Sequence, residues 1–362
     1  MACMSKLKRA EEIRRLQVTG GSTYTISLPK SWVEKMGLSK GSPLMIIEQQ
    51  DSLLISSKEA RKPEETVIAV IDVLPGEEAE TLIRKTVSAY LVGYNIIEIR
   101  PKEGRFSSAQ RNAIKDFSRR MLVGTEIVSD TPNELTLQVL LGYPELSVKS
   151  VLRRMCTITT SMHKDAITAL SELDHELAQD IIFTDDEVDR FSLYVIRQLK
   201  AAVQNERIIK DIGLTSPRDC LGYRLIIKSV ERTADHAVQI AEKIKSLNKP
   251  IDKPILDAVS KMASSAISLF ENAIEALFRN DFERADQVVQ KTDEVVGMEE
   301  DVIKLFFRIG DAETISILRL IVESIKRTAE YASDIAEIVL NLTINRVIRT
   351  STLKRHEKAI PI

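Results

Sequence analysis

From Ser147 to about residue 346, apolar residues recur every three or four positions with few glycines or prolines between them. That period predicts amphipathic helices packed through one aliphatic face. Upstream the pattern changes twice. Residues 12–57 read as short strands and tight turns. Gly20-Gly21 marks a turn, because glycine takes positive φ without steric cost. A first strand is expected over residues 14–19 and a second over 23–28. In the second, Tyr24, Ile26 and Leu28 alternate with Thr23, Thr25 and Ser27. Pro29 opens a short helix over 30–36, Gly37 ends it, and strands at 43–48 and 53–56 follow. A unit of about 45 residues is small for a core of its own, so a second copy is the physical expectation. Residues 58–65 are charged, contain Pro63 and read as a linker. Then strand 67–73, helix 76–92, strand 94–99, helix 107–122 with Ser107 as N-cap, and strands 125–128 and 135–140 are expected.

The helical part is written twice. The 28 residues SMHKDAITALSELDHELAQDIIFTDDEV from Ser161 align without gaps with SLFENAIEALFRNDFERADQVVQKTDEV from Ser268, an offset of 107 (268 − 161). Further on, RLIIKSVERTADHAVQIAE from Arg224 matches RLIVESIKRTAEYASDIAE from Arg319, an offset of 95 (319 − 224). The second copy is therefore 12 residues shorter (107 − 95), and the surplus falls around residues 205–220 of the first. Each copy holds three long antiparallel helices. The expected chain is multidomain and mainly α. It has an N-terminal β domain at 12–57 and a small α+β module at 66–144. Two tandem antiparallel three-helix bundles follow at 147–247 and 251–346.

Composition agrees: 44% hydrophobic, only 5% aromatic and 29% charged residues suit helices joined by aliphatic side chains. The net charge of −2 conceals an asymmetry. Residues 1–40 carry eight Lys and Arg against three Glu, a local +5 that points to a polyanion. Three scattered cysteines lack zinc spacing and fit a reducing cytosol. No signal-peptide pattern and no membrane-length apolar run is present, so a soluble, cytoplasmic protein is expected.

Two acidic pairs stand out. Asp185 and Asp189 are four apart on one helix, and Glu231 and Asp235 are four apart on another. Like charges at that spacing share a face and weaken an isolated helix by about 0.2–0.5 kcal/mol per pair. A hard or borderline cation would compensate them, and so would ion pairs with Arg190 and Arg232. The second copy has Thr292, Val296 and Lys326 where the first has Asp185, Asp189 and Glu231. It keeps only Glu330 and Asp334, a displaced and weaker acidic pair. His236 adjoins Asp235 but is turned about 100° away around the helix. His163 and His175 read as helix-surface residues and Cys156 as core. No nucleophile–base pair and no glycine-rich phosphate loop accompanies the acids, so no catalysis and no organic cofactor are expected. In the basic N-terminal region, Arg14 and Arg15 fall on the first strand, Thr23 and Tyr24 near the turn, and Lys30 at the start of the short helix. These residues can contact DNA, chiefly its phosphates. A solvated dimerisation sheet is the alternative.

Asp165 to Leu170, the acidic block Asp185 to Asp189, and Glu231 to Ala237 resemble signatures of the PhoU family, the phosphate-transport accessory regulators. The resemblance covers about residues 147–345. The block TGGSTYTISLPKSWVEKMGLSKGSPL from Thr19 resembles the AbrB/MazE swapped-hairpin DNA-binding domain. Together they resemble archaeal PhoU-like phosphate uptake regulators. The resemblance implies a homodimer with interlaced hairpins, and iron or zinc held by the helix-surface carboxylates. It also implies contact with phosphate ABC transporter components or a signalling partner. The implied function is phosphate-responsive transcriptional regulation that restrains phosphate uptake. The alternative is an adaptor that docks on the transporter without binding DNA.

Overall fold

The computed structural model describes residues 12–49, 52–57, 68–142, 146–307 and 309–349. The chain divides into two units, Met1–Thr66 and Val67–Ile362. In the first, β1 (Gln17–Thr19) and β2 (Thr23–Thr25) form an antiparallel hairpin with Val18 opposite Tyr24. Gly20 and Gly21 turn it at φ 65° and 87°. The short helix α1 (Lys30–Lys35) follows Pro29. Strands β3 (Leu44–Gln49) and β4 (Ser52–Ser57) make a second hairpin with Ile46 opposite Ile55. The first two strands are shorter than expected: Arg14 and Arg15 precede β1, and Ile26 and Leu28 lie beyond β2. The hairpins form separate two-stranded sheets. No described residue of this unit is buried, and Ile13 is 98% exposed. Isolated two-stranded hairpins are marginal in water.

The second unit opens with the α+β module. Its elements are β5 (Ile68–Val73), α2 (Ala79–Val92), β6 (Ile96–Pro101), α3 (Ser108–Met121), β7 (Thr125–Thr131) and β8 (Glu134–Val139). The sheet order is β5-β6-β8-β7; β5 and β6 run parallel and the other neighbours antiparallel. Helix α2 starts later than expected, because Gly76 sits at φ 76° in a turn. There the Glu77 carboxylate accepts the Leu74 N–H at 3.0 Å. Helix α3 starts as expected, on a reciprocal Ser107–Gln110 capping box. Leu82, Tyr90, Ile97, Ile99, Ile114, Leu135 and Leu137 are buried between sheet and helices.

The first bundle contains α4 (Val148–Glu172), α5 (His175–Gln204) and α7 (Pro217–Ile244). The surplus of this copy contains the short helix α6 (Glu206–Asp211). The second bundle contains α8 (Lys253–Arg279), α9 (Phe282–Phe306) and α10 (Ala312–Thr343). The repeat reaches the backbone. Leu173 and Asn280, 107 apart, both end their helices in the left-handed region at φ 57° and 51°. Asp174 and Asp281 then cap the next helix through their side chains. Both bundles share one continuous core. Cys156 lies in it as expected.

His163 corrects the expectation of a surface residue. It is 3% exposed on α4. Its Nε2–H donates to the Thr233 carbonyl of α7 at 2.8 Å and lies 3.4 Å from Thr328 Oγ1 of α10. Burial pushes its pKa down to about 4, so the ring is neutral. The α+β module is fastened to α5. Arg197, itself buried, donates to the Tyr90 carbonyl, to the Gly93 carbonyl at 3.2 Å and to Asn95 Oδ1 at 3.0 Å. Arg120 of α3 pairs with Asp186 of α5 at 3.1 Å. Among the described residues no helix is long and apolar enough to cross a membrane.

Candidate metal centre

Helices α5 and α7 bury Ala178, Ile181, Val188 and Val195 against Ile226, Val230, Ala234 and Ala237. The flanking acids are thereby carried to one place. One carboxylate oxygen from each of Asp185, Asp189 and Asp235 lies within 4.8 Å of the others, and all three residues are half-buried. Asp185 Oδ1 is buried without a hydrogen-bond partner. Burial, then the charges of Asp189, Asp235 and Glu231, push the Asp185 pKa up to about 7. Burial, then Glu231 and Asp235, push Asp189 up to about 6. Asp235 is raised by burial and then by Glu231. All three shifts come first from burial and then from mutual repulsion, which Lys228 offsets only in part at Asp189, and Lys228 and Arg232 only in part at Asp235.

Glu231, the fourth expected member, forms an ion pair with Lys228 instead of adding an oxygen to the group. Neither neighbouring arginine forms an ion pair with the acids. The Arg190 guanidinium lies 5.8 Å from the Phe191 ring, and its Nε is buried without a partner. Arg232 lies 5.9 Å from the Tyr331 ring. Among the described residues neither pairs with Asp185, Asp189 or Asp235. An oxygen-only set of three carboxylates with an orphaned buried oxygen fits a hard or borderline cation. His236 does turn away from this group: its ring centroid lies 5.7 Å from that of Tyr331 on α10.

The second copy assembles no such group among the described residues. Thr292 is buried and donates to the Val288 carbonyl at 2.9 Å. The Lys326 ammonium sits 2.9 Å from Glu299, and Glu330 accepts from Arg327 at 2.8 Å. Asp334 is raised by burial, Glu337 and Glu330, yet stands outside any cluster. The second bundle thus carries its own cation where the first has a carboxylate.

In the N-terminal unit, Arg14 forms an ion pair with Glu12, and Lys30 lies 3.6 Å from Glu34. Arg15 is exposed, and Thr23 and exposed Tyr24 lie on β2. Sequence reasoning missed two structural residues, His163 and Arg197. For His163 a sign was available: it stands three and seven residues before buried Ala166 and Leu170, and it aligns with buried Phe270.

Residues 152–244 and 259–339 match the family model described as the PhoU domain. Residues 17–64 match the model described as antidote-toxin recognition MazE, bacterial antitoxin. The chain carries a PhoU domain behind a MazE/AbrB-type domain. A phosphate-specific transport system accessory protein PhoU homolog of Clostridium acetobutylicum is 26% identical over 152 residues, 40% of this chain. That match spans 65% of the relative, just under two thirds of its length. A homolog of the same description from Zymomonas mobilis is 24% identical over 53% of this chain and 81% of its own. Among solved structures, PhoU from Pseudomonas aeruginosa is similar at 22% identity and a TM-score of 0.48. It is covered over 96% of its length by 55% of this chain. The phosphate transport system regulatory protein PhoU from Streptococcus pneumoniae has 17% identity and the same TM-score, with 56% of this chain covering 96% of it.

Proposed function

We propose that this chain is a non-catalytic, DNA-binding regulator of phosphate uptake. In this reading two copies interlace their N-terminal hairpins, and Arg14, Arg15, Thr23, Tyr24 and Lys30 contact operator DNA. The PhoU domain senses phosphate status through a cation on Asp185, Asp189 and Asp235, iron or zinc by family resemblance, and the bound state restrains uptake. The observation that carries the reading is the union in one chain of a MazE/AbrB-type domain with a PhoU domain whose first copy gathers three half-buried carboxylates. The dimer is supported by the absence of buried side chains among the described residues of the N-terminal unit. A partner or ion that favours one arrangement of the helices would shift operator affinity by its difference in affinity for the two states.

The test is an electrophoretic shift on DNA upstream of the chain's own coding region across a salt series, with metal analysis of the same preparation. A shift that weakens steeply with salt and is lost in Arg14→Ala/Arg15→Ala supports the reading. The relatives' description as transport-system accessory proteins favours a second reading, an adaptor that docks on a phosphate ABC transporter. No shift at low salt, with retained transporter binding, would select it.

A further inference from the structure

We propose that β5 is an interface between two copies of this chain, pairing antiparallel with the partner's β5 and joining two four-stranded sheets into one of eight strands. The inference rests on the dimer of the preceding section and goes beyond it, because it gives the α+β module a partner.

The two edges of the sheet differ. Strand β7 carries the marks of a protected edge. It has an irregular register between Ile127 and Ser129, and it carries Glu126. Its Asp130 is held by Arg111 at 2.6 Å and Lys115 at 2.7 Å. Strand β5 has no break in its register with β6, and its one charged residue, Asp72, stands next to its last residue, so that Ile68 to Ile71 is an uncharged run. Ile68 is 49% and Val70 56% exposed on its open face. No described strand pairs with its outer side. An unpaired row of backbone donors and acceptors on a mostly apolar strand is a template for another strand. A groove of about 510 Å³ runs beside it, lined by Val70 and Asp72 of β5 and by Thr81, Arg84 and Ser88 of α2 among others.

A second copy is the occupant that the chain itself delivers. Ten residues separate the end of β4 at Ser57 from the start of β5 at Ile68. They span at most about 35 Å. Two chains joined through their N-terminal hairpins therefore hold their β5 edges at an effective concentration on the order of millimolar. A free peptide would have to compete with that. A two-fold axis through Val70 preserves the faces of both sheets, because opposed residues must share a face. Val70 then meets the partner's Val70, and Ala69 meets the partner's Ile71. Five of the six strand residues find a partner in this register.

The experiment uses the full chain with Cys3→Ser, since Cys156 and Cys220 are buried. Directly opposed residues have Cα atoms about 4.5–5.5 Å apart, within disulfide reach. Val70→Cys should give a disulfide-linked dimer on mild oxidation, about tenfold or more above Val128→Cys on the β7 edge. Hydrogen exchange gives a measurement independent of register. The outward β5 amides should be protected about tenfold or more in the intact chain, and Ile68→Lys/Val70→Lys should remove that protection while the mass by light scattering stays dimeric. A dimer that neither links at Val70 nor protects β5 overturns this pairing and leaves the N-terminal dimer standing. A monomeric mass overturns the N-terminal dimer and this inference with it.

Discussion

His236 and Tyr331 face each other with ring centroids 5.7 Å apart and planes tilted by 34°, and they hold the same position in the two copies of the repeat, 95 residues apart. A second such pair, Lys164 and Glu271, 107 apart, forms an ion pair at 2.7 Å. Equivalent residues that meet require an approximate two-fold axis between the copies, relating α7 to α10 and α4 to α8. Helices α7 and α10 accordingly run antiparallel: a Cβ built on Gly222, near the start of α7, would lie 3.2 Å from Ile338 and from Leu342, late in α10. His163 lies between Thr233 and Thr328, themselves equivalent residues.

The buried ring makes the protein acid-sensitive. The unfolded chain protonates His163 near the ordinary value of 6.5, the folded chain only at about 4. Between those values the unfolded state binds the extra proton, so stability falls as pH drops and is unaffected above about 7. The shift is worth on the order of 3 kcal/mol. In His163→Phe, which borrows the residue of the second copy, the decline from pH 6.5 to 4 should be shallower by about that amount. Urea midpoints at pH 7.5, 5.5 and 4.5 measure it; parallel curves for variant and wild type would contradict the assignment.

The acidic cluster has the opposite sign. With Asp185 raised to about 7 and Asp189 to about 6, the metal-free folded state keeps protons that the unfolded state releases near 3.8. Metal-free stability therefore falls as pH rises from about 4 through 7. Asp185→Asn should stabilise metal-free protein at pH 8 by on the order of 1–2 kcal/mol, discounted for partial exposure of the group. It should also abolish any rise in Tm on adding Mn²⁺, Fe²⁺ or Zn²⁺. Calorimetry with and without the ion, at pH 5 and 8, checks both.

Much of this was legible in the chain because it repeats. The offset of 107 located the acids of α5, and the offset of 95 aligned those of α7 with Lys326 and Glu330. Periodicity cannot show which way a long side chain bends: the spacing places Glu231 with the cluster, whereas its carboxylate turns to Lys228. Nor can it report docking between elements far apart in sequence. Arg197 looks like any helix arginine until α5 is set against the turn after α2. The pattern places the start of the first strand at Arg14, whereas the hairpin register, Gln17 opposite Thr25, fixes where pairing begins.

The second copy should accept a cation only when its own is removed and carboxylates stand at positions 292 and 296 as well. Lys326→Glu alone leaves Thr292 and Val296 without oxygens to offer as ligands of carboxylate type, so metal content should stay at the wild-type value. Thr292→Asp/Val296→Asp/Lys326→Glu rebuilds the first copy's pattern on the same helix faces. Metal analysis should then read about twice the wild-type stoichiometry. An unchanged ratio would mean that spacing alone does not make the site.

Arg197 holds three acceptors of the α+β module at once, two carbonyls and the Asn95 side chain. Arg197→Met strands them at a buried interface and should cost about 3 kcal/mol. Arg197→Lys should recover only part, since an ammonium lacks the planar fork. Limited proteolysis is the discriminating readout. Cleavage within residues 68–139 should accelerate in the order wild type, Lys, Met, with the bundles left intact.

At the N-terminus the two arginines should behave differently on DNA. Glu12 engages Arg14, whereas Arg15 is exposed. If both reach phosphates in a dimer, Arg15→Ala removes two contacts per complex. The slope of log K against log salt should then flatten by about 2, uniformly across operator and random sequence. Glu12→Gln frees Arg14 and removes a negative charge that repels the backbone. Affinity should rise several-fold and the slope steepen. Fluorescence anisotropy between 50 and 200 mM salt separates the cases. A slope unmoved by Arg15→Ala would place that side chain off the phosphate track, and an operator-selective loss would mean it reads a base edge.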